Sequence, residues 1–322
     1  MRLFKADKVL ILMTLVLVFS LAFGGTINAQ PKEVVIQTPP VPAALPLLKM
    51  QESGEFGSFM NLNVKVSPDH QRAISLIAKN EIDFMVTGVN VGAKVYNRGI
   101  NVKMVNVNIW AIDYLLTNGF KANEWSDLKG KTLSLPLKGG PLDFLARYLL
   151  KENGLDPEND VELVYRPLPN AAKYFMTGQV DSIILPEPLV SVNLTKNKQA
   201  NLSFDIQKEW GKLHDGDERI PYVGLFVANQ FVKEYPGLVD IIAGKYIENV
   251  NYYNNNPKEA IKDASKYFNI PQPIMKKAWN RVNLNIYPDS ESRALVNTYF
   301  NHIMDMYPEM IGGNLPDEEF YY

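Results

Sequence analysis

Several residues with chemical potential stand in short loops directly after predicted strands. The sequence Lys138-Gly139-Gly140-Pro141 lies between a strand and a helix. Glycine lets the backbone approach a ligand there, the N–H groups at a helix start favour anions, and Lys138 adds positive charge. The loop is therefore a candidate site for an anionic group. A plain strand-to-helix turn is an equally good interpretation, because adjacent glycines often mark turns.

Two further loops of the same kind stand nearer the N-terminus. Thr38 and Pro40 follow the first predicted strand, and Gly88 and Asn90 follow the third. Ligands of open α/β sheets bind beyond the carboxyl ends of the strands, so these residues are candidates to contact a solute. Each loop alone is weak support for a site. Together they suggest two lobes that face one cleft.

Aromatic and acidic residues form a second group of candidates. Trp110 and Tyr114 flank Asp113 just after a strand, where a ring could close over a ligand and the carboxylate could accept a hydrogen bond. Core aromatics at a boundary between lobes are an equally good interpretation. Glu187 stands between two prolines at the end of another strand. Its carboxylate could bind an amino group or a heterocycle, or it could pair with a lysine that holds the lobes together.

Patterns typical of catalysis and of metal binding are missing from the sequence. The stretch Gly130-Lys131-Thr132 imitates the end of a phosphate-binding loop, but Trp125 occupies the position of the first glycine that such a loop requires. The chain has no cysteine, and its three histidines are far apart and lack the spacing of metal ligands. We therefore predict no catalytic residue, no metal site and no cofactor.

The N-terminal segment, residues 1–29, has the pattern of a secretory signal peptide. Arg2, Lys5 and Lys8 precede an apolar run, and small residues near Ala29 offer a cleavage site. The apolar run is shorter than the ~20 residues that cross a membrane, which argues against the alternative of an uncleaved anchor. We expect an exported protein, periplasmic or secreted, and without cysteine we expect no lipid anchor.

The balance of charge bears on the kind of partner. The formal net charge at pH 7 is −2, and residues of both signs are scattered along the chain. Binding of nucleic acid needs a clustered basic face, so nucleic acid is not an expected partner.

Strands and helices alternate along the chain, and one short design occurs twice. Asn80-Glu81-Ile82-Asp83 and Gly178-Gln179-Val180-Asp181 each join a predicted helix to a buried strand. This order predicts an α/β fold with two lobes, each built on a mostly parallel sheet. The predicted domains are residues 1–29 as signal peptide, 30–115 plus 222–322 as lobe 1, and 116–221 as lobe 2. Helices predicted over 230–254, 257–267, 273–281 and 290–307 are expected to pack on lobe 1.

The assembled segments closely resemble the periplasmic substrate-binding proteins of ABC importers, in the nitrate/sulfonate/taurine and thiamine-precursor (NMT1/THI5-like) group. The resemblance covers most of residues 34–190 in family order, and residues 235–260 resemble the C-terminal helices of the family. The motifs that carry it are Gly54-Glu55-Phe56, Asn80-Glu81-Ile82-Asp83, the run from Trp125 to Thr132, Gly154-Leu155-Asp156-Pro157, Gly178-Gln179-Val180-Asp181 and Glu187-Pro188.

The resemblance implies a type II periplasmic-binding-protein fold, in which two α/β lobes joined by two crossings close on a ligand and present it to a membrane permease. The binding loops of the family would correspond to residues 38–42, 88–90 and 138–141 and to Glu187. The chain also departs from the family. Pro169-Asn170 provides no serine or arginine to hold a sulfonate, and the cysteine-rich motif of the pyrimidine-synthesising relatives is missing, which argues against their chemistry.

The leading hypothesis is a solute-binding protein of an ABC importer that is not an enzyme. Its ligand would be a small anionic or heteroaromatic solute, such as a sulfonate, nitrate, taurine or a thiamine pyrimidine precursor. The expected partners are this solute and a membrane permease, and the protein is expected to be a monomer. Two alternatives stay open, namely an enzyme that acts on a pyrimidine or a related small molecule on the same fold, and a ligand-sensing interaction protein.

Overall fold

The computed structural model describes residues 33–54, 56–57 and 59–322. The predicted signal peptide, residues 1–29, lies outside the described residues. Within the described part of the chain, no helix is both long enough and apolar enough to span a membrane.

The strands of the described residues form two sheets. In chain order they are β1 (Glu33–Thr38), β2 (Asn61–Val66), β3 (Phe84–Gly88), β4 (Val102–Ala111), β5 (Asp113–Asn118), β6 (Thr132–Leu135), β7 (Glu162–Tyr165), β8 (Ser182–Pro186), β9 (Ala200–Asp205), β10 (Val223–Ala228) and β11 (Asn283–Leu284). The first sheet has the order β11-β4-β10-β3-β1-β2, and the second has the order β7-β6-β8-β5-β9. Apart from the short edge strand β11, the two sheets follow one plan.

Each sheet contains one interior strand that arrives from the other half of the molecule. β1 runs parallel to β2 and β3, and β6 runs parallel to β7 and β8. The inserted strands β10 and β5 run antiparallel to both of their main neighbours. The prediction of mostly parallel sheets therefore needs a correction. An inserted strand enters from the opposite side and so runs in the opposite direction.

The chain passes between the sheets at two adjacent places. β4 ends at Ala111 and β5 begins at Asp113, so the first crossing is a single residue, Ile112. The return crossing, residues 220–222, lies beside it. The backbone N–H of Ile220 donates to the carbonyl oxygen of Trp110 at 2.9 Å, and the N–H of Tyr222 donates to that of Ile109 at 3.1 Å. The two crossings thus support each other through main-chain hydrogen bonds.

Helices cover both sheets. In chain order they are α1 (Ala44–Ser53), α2 (His70–Ala78), α3 (Val89–Asn97), α4 (Pro141–Glu152), α5 (Leu168–Met176), α6 (Leu189–Lys196), α7 (Ile206–Leu213), α8 (Asn229–Glu234), α9 (Leu238–Asn255), α10 (Pro257–Phe268), α11 (Gln272–Trp279) and α12 (Asp289–Met306). Short 3-10 turns occur at Trp125–Leu128, Pro308–Met310 and Glu318–Phe320. The alternation of strands and helices confirms the predicted α/β class.

The C-terminal helices differ from the prediction in two ways. The helix predicted over 230–254 is divided into α8 and α9 at Tyr235-Pro236-Gly237, where Gly237 has φ of 85°. Proline cannot continue a helix, and glycine adopts this backbone conformation without strain. In addition, α12 does not pack on the first sheet alone. Its Tyr299 ring contacts Phe144 of α4, with ring centroids 5.3 Å apart.

The two aspartates of the repeated design have the same structural role. Asp83 Oδ2 accepts a hydrogen bond from the backbone N–H of Val35 at 2.8 Å. Asp181 Oδ2 accepts from the N–H of Thr132 at 2.9 Å. Each carboxylate therefore joins the start of its own strand to the first strand of the same unit. Both aspartates thus organise the turns that precede their strands.

The main hydrophobic core runs from one sheet to the other. It includes Ile36 and Phe84 of the first sheet as well as Leu133 of the second and Phe144 of α4. The two halves consequently share buried apolar surface, which stabilises the arrangement in which their loops meet.

Candidate functional site

The loops after β3 and β6 contact each other between the two sheets. Asn90, which is fully buried at the start of α3, donates from Nδ2 to the carbonyl oxygen of Gly139 at 3.1 Å. Gly88 lies so close to Pro141 that a Cβ atom built on it would stand 2.6 Å from Pro141 Cγ. The structure thus brings together two of the loops that the sequence marks as candidate binding loops.

The loop at Gly139 is held by a buried ion pair. Its N–H donates to Asp143 Oδ2 at 2.7 Å, while Asp143 Oδ1 accepts from Arg147 Nε at 2.8 Å and from the Tyr165 hydroxyl at 2.7 Å. Arg147 also pairs with Glu158. Because Asp143 already fills the N-terminus of α4 with negative charge, the loop is less suited to an anion than the sequence suggests.

Lys138 and Gly140 occupy different environments in this loop. The Lys138 side chain is exposed, and its Nζ lies 5.7 Å from the centre of the Tyr165 ring. Gly140 is buried, and a Cβ atom there would stand 3.2 Å from the carbonyl oxygen of Leu137. Neither residue has a free polar side-chain group directed to a buried site, and their contact with a ligand stays a prediction.

Glu187 has a full set of protein partners. Its side chain is completely buried, and its oxygens accept from the N–H of Ser191 at 3.0 Å, the Ser191 hydroxyl at 2.9 Å and Arg281 Nη1 at 3.0 Å. Arg281 lies between α11 and β11, so the ion pair joins the two halves of the molecule. The geometry favours the second interpretation of Glu187, as a bond that holds the halves together, although its partner is an arginine and not a lysine.

Trp110 and Tyr114 are likewise engaged. Trp110 is fully buried and donates from Nε1 to the carbonyl oxygen of Asn285 at 3.0 Å, with its ring against the edge of Tyr287. The Tyr114 hydroxyl donates to the carbonyl oxygen of Arg281 at 3.1 Å. The Trp110 ring is therefore part of the core in this conformation and is not free to close over a ligand.

Thr38 and Pro40 lie at the end of β1 without an evident ligand group. Thr38 is buried, and its hydroxyl donates to the carbonyl oxygen of Pro39 at 3.1 Å. Pro40 is exposed. Their predicted contact with a solute also stays a prediction.

Asp113 differs from the other predicted acidic residue. It is 3% exposed, its Oδ1 has no hydrogen-bond partner, and burial raises the pKa of its carboxyl well above the usual range. A buried polar atom without a partner is uncommon and calls for an explanation, such as a ligand or a water molecule. Asn90 Oδ1 is a second such atom in the predicted set.

Sequence reasoning missed several residues of the same kind. Buried side-chain atoms without a partner also include Gln37 Nε2, Thr87 Oγ1, Asn108 Oδ1, Ser134 Oγ, Arg166 Nη1 and Tyr299 Oη. Gln37 and Thr87 each stand one position before a predicted site residue, so a wider view of the strand ends would have found them. Asn108 and Tyr299 lie within a strand and a helix, where nothing in the local pattern indicates a free polar atom.

An open crevice of about 570 Å³ lies beside the crossings. Its lining includes Tyr114, Gln207, Asp205, Arg219 and Arg281. Gln207 Oε1 accepts from the N–H of Asp113 at 3.0 Å and from the Tyr222 hydroxyl at 2.9 Å, so this glutamine links the two crossings. The charges of the crevice are mixed, and Arg219 is already paired with Asp217 and Glu291.

Two of the three histidines are neighbours in the fold. His214 lies just beyond α7 and His302 lies on α12, and their Nε2 atoms are 3.0 Å apart. Within the described residues, no group of three or more histidine, aspartate or glutamate side chains is arranged to hold a metal ion.

Solved structures of other proteins share this fold. A structure of an ABC transporter from Parabacteroides distasonis has a TM-score of 0.75 at 20% identity, and the match covers 90% of this chain and 99% of that one. The periplasmic aliphatic sulphonate binding protein SsuA from Escherichia coli has a TM-score of 0.73 at 16% identity, with 91% and 92% covered. At such identities the likeness shows a shared fold, and it confirms the predicted periplasmic-binding-protein architecture.

Curated relatives match shorter segments. The putative binding protein YtlA from Bacillus subtilis is 24% identical over 144 residues, which are 44% of this chain and 41% of the relative. The nitrate/nitrite binding protein NrtA from Synechococcus elongatus is 39% identical over 87 residues, 26% of this chain and 19% of the relative. The chain thus spans less than half the length of either curated relative.

The family itself is settled by a match over most of the sequence. The model of the NMT1-like family matches residues 28–269, which agrees with the resemblance carried by the sequence motifs. The chain therefore belongs to the NMT1-like family.

Proposed function

We propose that the protein is an extracytoplasmic solute-binding protein of an ABC importer. The observation that carries the proposal is the contact between the loops after β3 and β6 at Asn90, whose Oδ1 is buried without a protein partner. Asp113 Oδ1, at the start of β5, is likewise buried without a partner. Buried polar groups are otherwise almost always hydrogen-bonded, so a polar ligand is a natural partner for these atoms. Relatives and structural neighbours described as binding proteins of nitrate, nitrite or sulphonate support the same function.

The two sheets support a division into two lobes close to residues 30–115 plus 222–322 and residues 116–221. β5 pairs only within the second sheet, so we place the first boundary at Ile112. The short adjacent crossings would act as a hinge, and closure of two lobes around a ligand is a common use of such an arrangement. The Asn90–Gly139 hydrogen bond and the Glu187–Arg281 pair would then form on closure.

The ligand would be a small anionic or heteroaromatic solute that is released unchanged to a membrane permease, without catalysis. The protein would act outside the cytoplasm, as a monomer, after removal of residues 1–29. The NMT1-like family and the fold of periplasmic binding proteins support this location.

Native purification followed by mass spectrometry tests the function. We expect a retained small solute that is recovered unmodified and that raises the melting temperature when it is added back to stripped protein. Taurine, nitrate, an alkanesulfonate and 4-amino-5-hydroxymethyl-2-methylpyrimidine should be compared in the same thermal-shift assay. Conversion of the solute into a product would indicate an enzyme. The proposal would be refuted if the purified protein carried no solute and none of the tested solutes bound.

Replacing Gly88 with alanine is expected to weaken binding of the retained solute by about tenfold, which corresponds to ~1.4 kcal/mol. The φ and ψ of Gly88 are −59° and 138°, which alanine adopts without strain. The added Cβ would collide with Pro141 of the facing loop, so closure should suffer more than folding. Calorimetry would measure the dissociation constant.

Gly244 offers a matched control for this substitution. It lies in α9, and a Cβ atom there would meet no other atom within 4 Å. Gly244→Ala should leave affinity unchanged. If Gly88→Ala had equally little effect on affinity, contact between the loops would not be required for binding.

A further inference from the structure

Buried carboxylates give the most specific information about the ligand. Glu187 and Asp143 are both completely buried, and each has an arginine partner, at 3.0 Å for Arg281 and 2.8 Å for Arg147. Asp113 is also buried, at 3% exposed, but none of the ion pairs between described residues includes it, and its Oδ1 accepts no hydrogen bond. A buried carboxylate without a cation costs several kcal/mol of stability. Glu187 and Asp143 avoid this cost through their arginine partners, and Asp113 does not.

The surroundings of Asp113 suit a positive charge. Burial raises the pKa values of Tyr114, Tyr222 and Tyr299, and the negative charge of Asp113 adds to each shift, so all three side chains lie within its electrostatic reach. Tyr222 and Tyr299 are also buried, and the Tyr299 hydroxyl has no partner. Carboxylates and tyrosine rings attract cations, and a hydroxyl can accept a hydrogen bond from an N–H group.

The unpartnered atom of Asn90, at the contact between the loops after β3 and β6, is an acceptor. Asn90 Nδ2 donates to the carbonyl oxygen of Gly139, which can only accept, and this fixes the remaining Asn90 atom as Oδ1. Asn90 Oδ1 and the ionised carboxylate of Asp113 therefore both act only as hydrogen-bond acceptors.

The arginines of the described residues do not neutralise Asp113. Arg147, Arg219 and Arg281 are paired with carboxylates. Arg166 has a buried Nη1 without a partner, but it follows β7, which is separated from β5 by β6 and β8. At ~4.8 Å between neighbouring strands, it lies on the order of 14 Å from the strand of Asp113.

We propose that Asp113 is the counter-charge for an amino group or a protonated ring nitrogen of the solute. The site would then take an amine-bearing solute, such as an aminopyrimidine or an aminosulfonate, and would reject a simple oxyanion such as nitrate. This inference rests on the proposed binding function and narrows its ligand class. An oxyanion group of a larger zwitterionic solute is compatible with it, provided that the nitrogen occupies the Asp113 end of the site.

Paired probes test the inference on the unaltered protein. The pairs are taurine against 2-hydroxyethanesulfonate, and 4-amino-5-hydroxymethyl-2-methylpyrimidine against the same ring without its amino group. We expect at least one amine-bearing probe to bind, with a dissociation constant at least tenfold lower than that of its matched partner. If nitrate or the amine-free probes bound as tightly as their partners, the inference would fail while the binding function stood. If no probe bound and purified protein carried no solute, the binding function itself would fail.

Asp113→Asn provides the second test, because it keeps the shape of the side chain and removes its charge. Affinity for the amine-bearing probe should fall at least tenfold, and affinity for the amine-free partner should change less than threefold. The melting temperature should stay the same or rise, because an unpaired buried carboxylate is removed. An unchanged preference for the amine in the folded variant would overturn the proposed role of Asp113.

Discussion

Replacing Arg147 with methionine is expected to lower the free energy of unfolding by about 3–5 kcal/mol. Arg147 is 8% exposed and Asp143 is completely buried, so the substitution leaves a carboxylate in the interior without its cation. The same carboxylate holds the N–H of Gly139, and we expect the loop that contacts Asn90 to loosen as well. Urea unfolding at pH 7 would measure the loss of stability.

Arg293 gives a matched control for this prediction. It pairs with Asp289 at 2.7 Å with the same four-residue helical spacing, but Asp289 is 76% exposed. Exposed ion pairs contribute ~1 kcal/mol or less, so Arg293→Met should cost far less than Arg147→Met. Adding Asp143→Asn to Arg147→Met should recover part of the lost stability. Equal losses from the two arginine substitutions would show that burial of the Asp143 pair is not the decisive factor.

Replacing Arg281 with methionine is expected to lower the free energy of unfolding by about 2–3 kcal/mol, at or below the low end of the range for buried pairs. The Arg281 side chain is 32% exposed, so solvent screens part of its charge, whereas Glu187 is completely buried. Because the pair joins the two halves of the molecule, its loss should also favour separation of the loops. Thermal unfolding and ligand calorimetry would report the two effects separately.

The Glu187→Gln substitution completes a double-mutant cycle. Glutamine keeps an acceptor for the Ser191 hydroxyl and removes the charge that Arg281 neutralises. The double variant should therefore be more stable than Arg281→Met alone, with a coupling energy above ~1 kcal/mol. Additive losses would contradict a structural pair. A large loss of affinity in Glu187→Gln without any loss of stability would instead identify Glu187 as a ligand contact.

Much of the architecture follows from patterns within short segments. The predicted alternation of strands and helices is present in the fold, and Asp83 and Asp181 occupy equivalent turns because each unit repeats one local design. The helix α6 is harder to recognise from the sequence, for a physical reason. The buried side of α6 includes Ser191 and Asn193, which bond within their own turn, so apolar spacing does not mark this helix.

The sequence by itself determined the α/β alternation, the family and the loops that end the strands, because these depend on neighbours along the chain. Only the tertiary structure decided which polar groups stay free. Trp110 donates to a carbonyl 175 residues away, and Glu187 pairs with an arginine 94 residues away, so two strong candidates from the sequence are engaged. Asp113 Oδ1 is buried without a hydrogen-bond partner among the described residues, although the strand that carries it is locally ordinary. Packing decides which distant segments form hydrogen bonds with each other, so a local sequence pattern cannot predict these bonds.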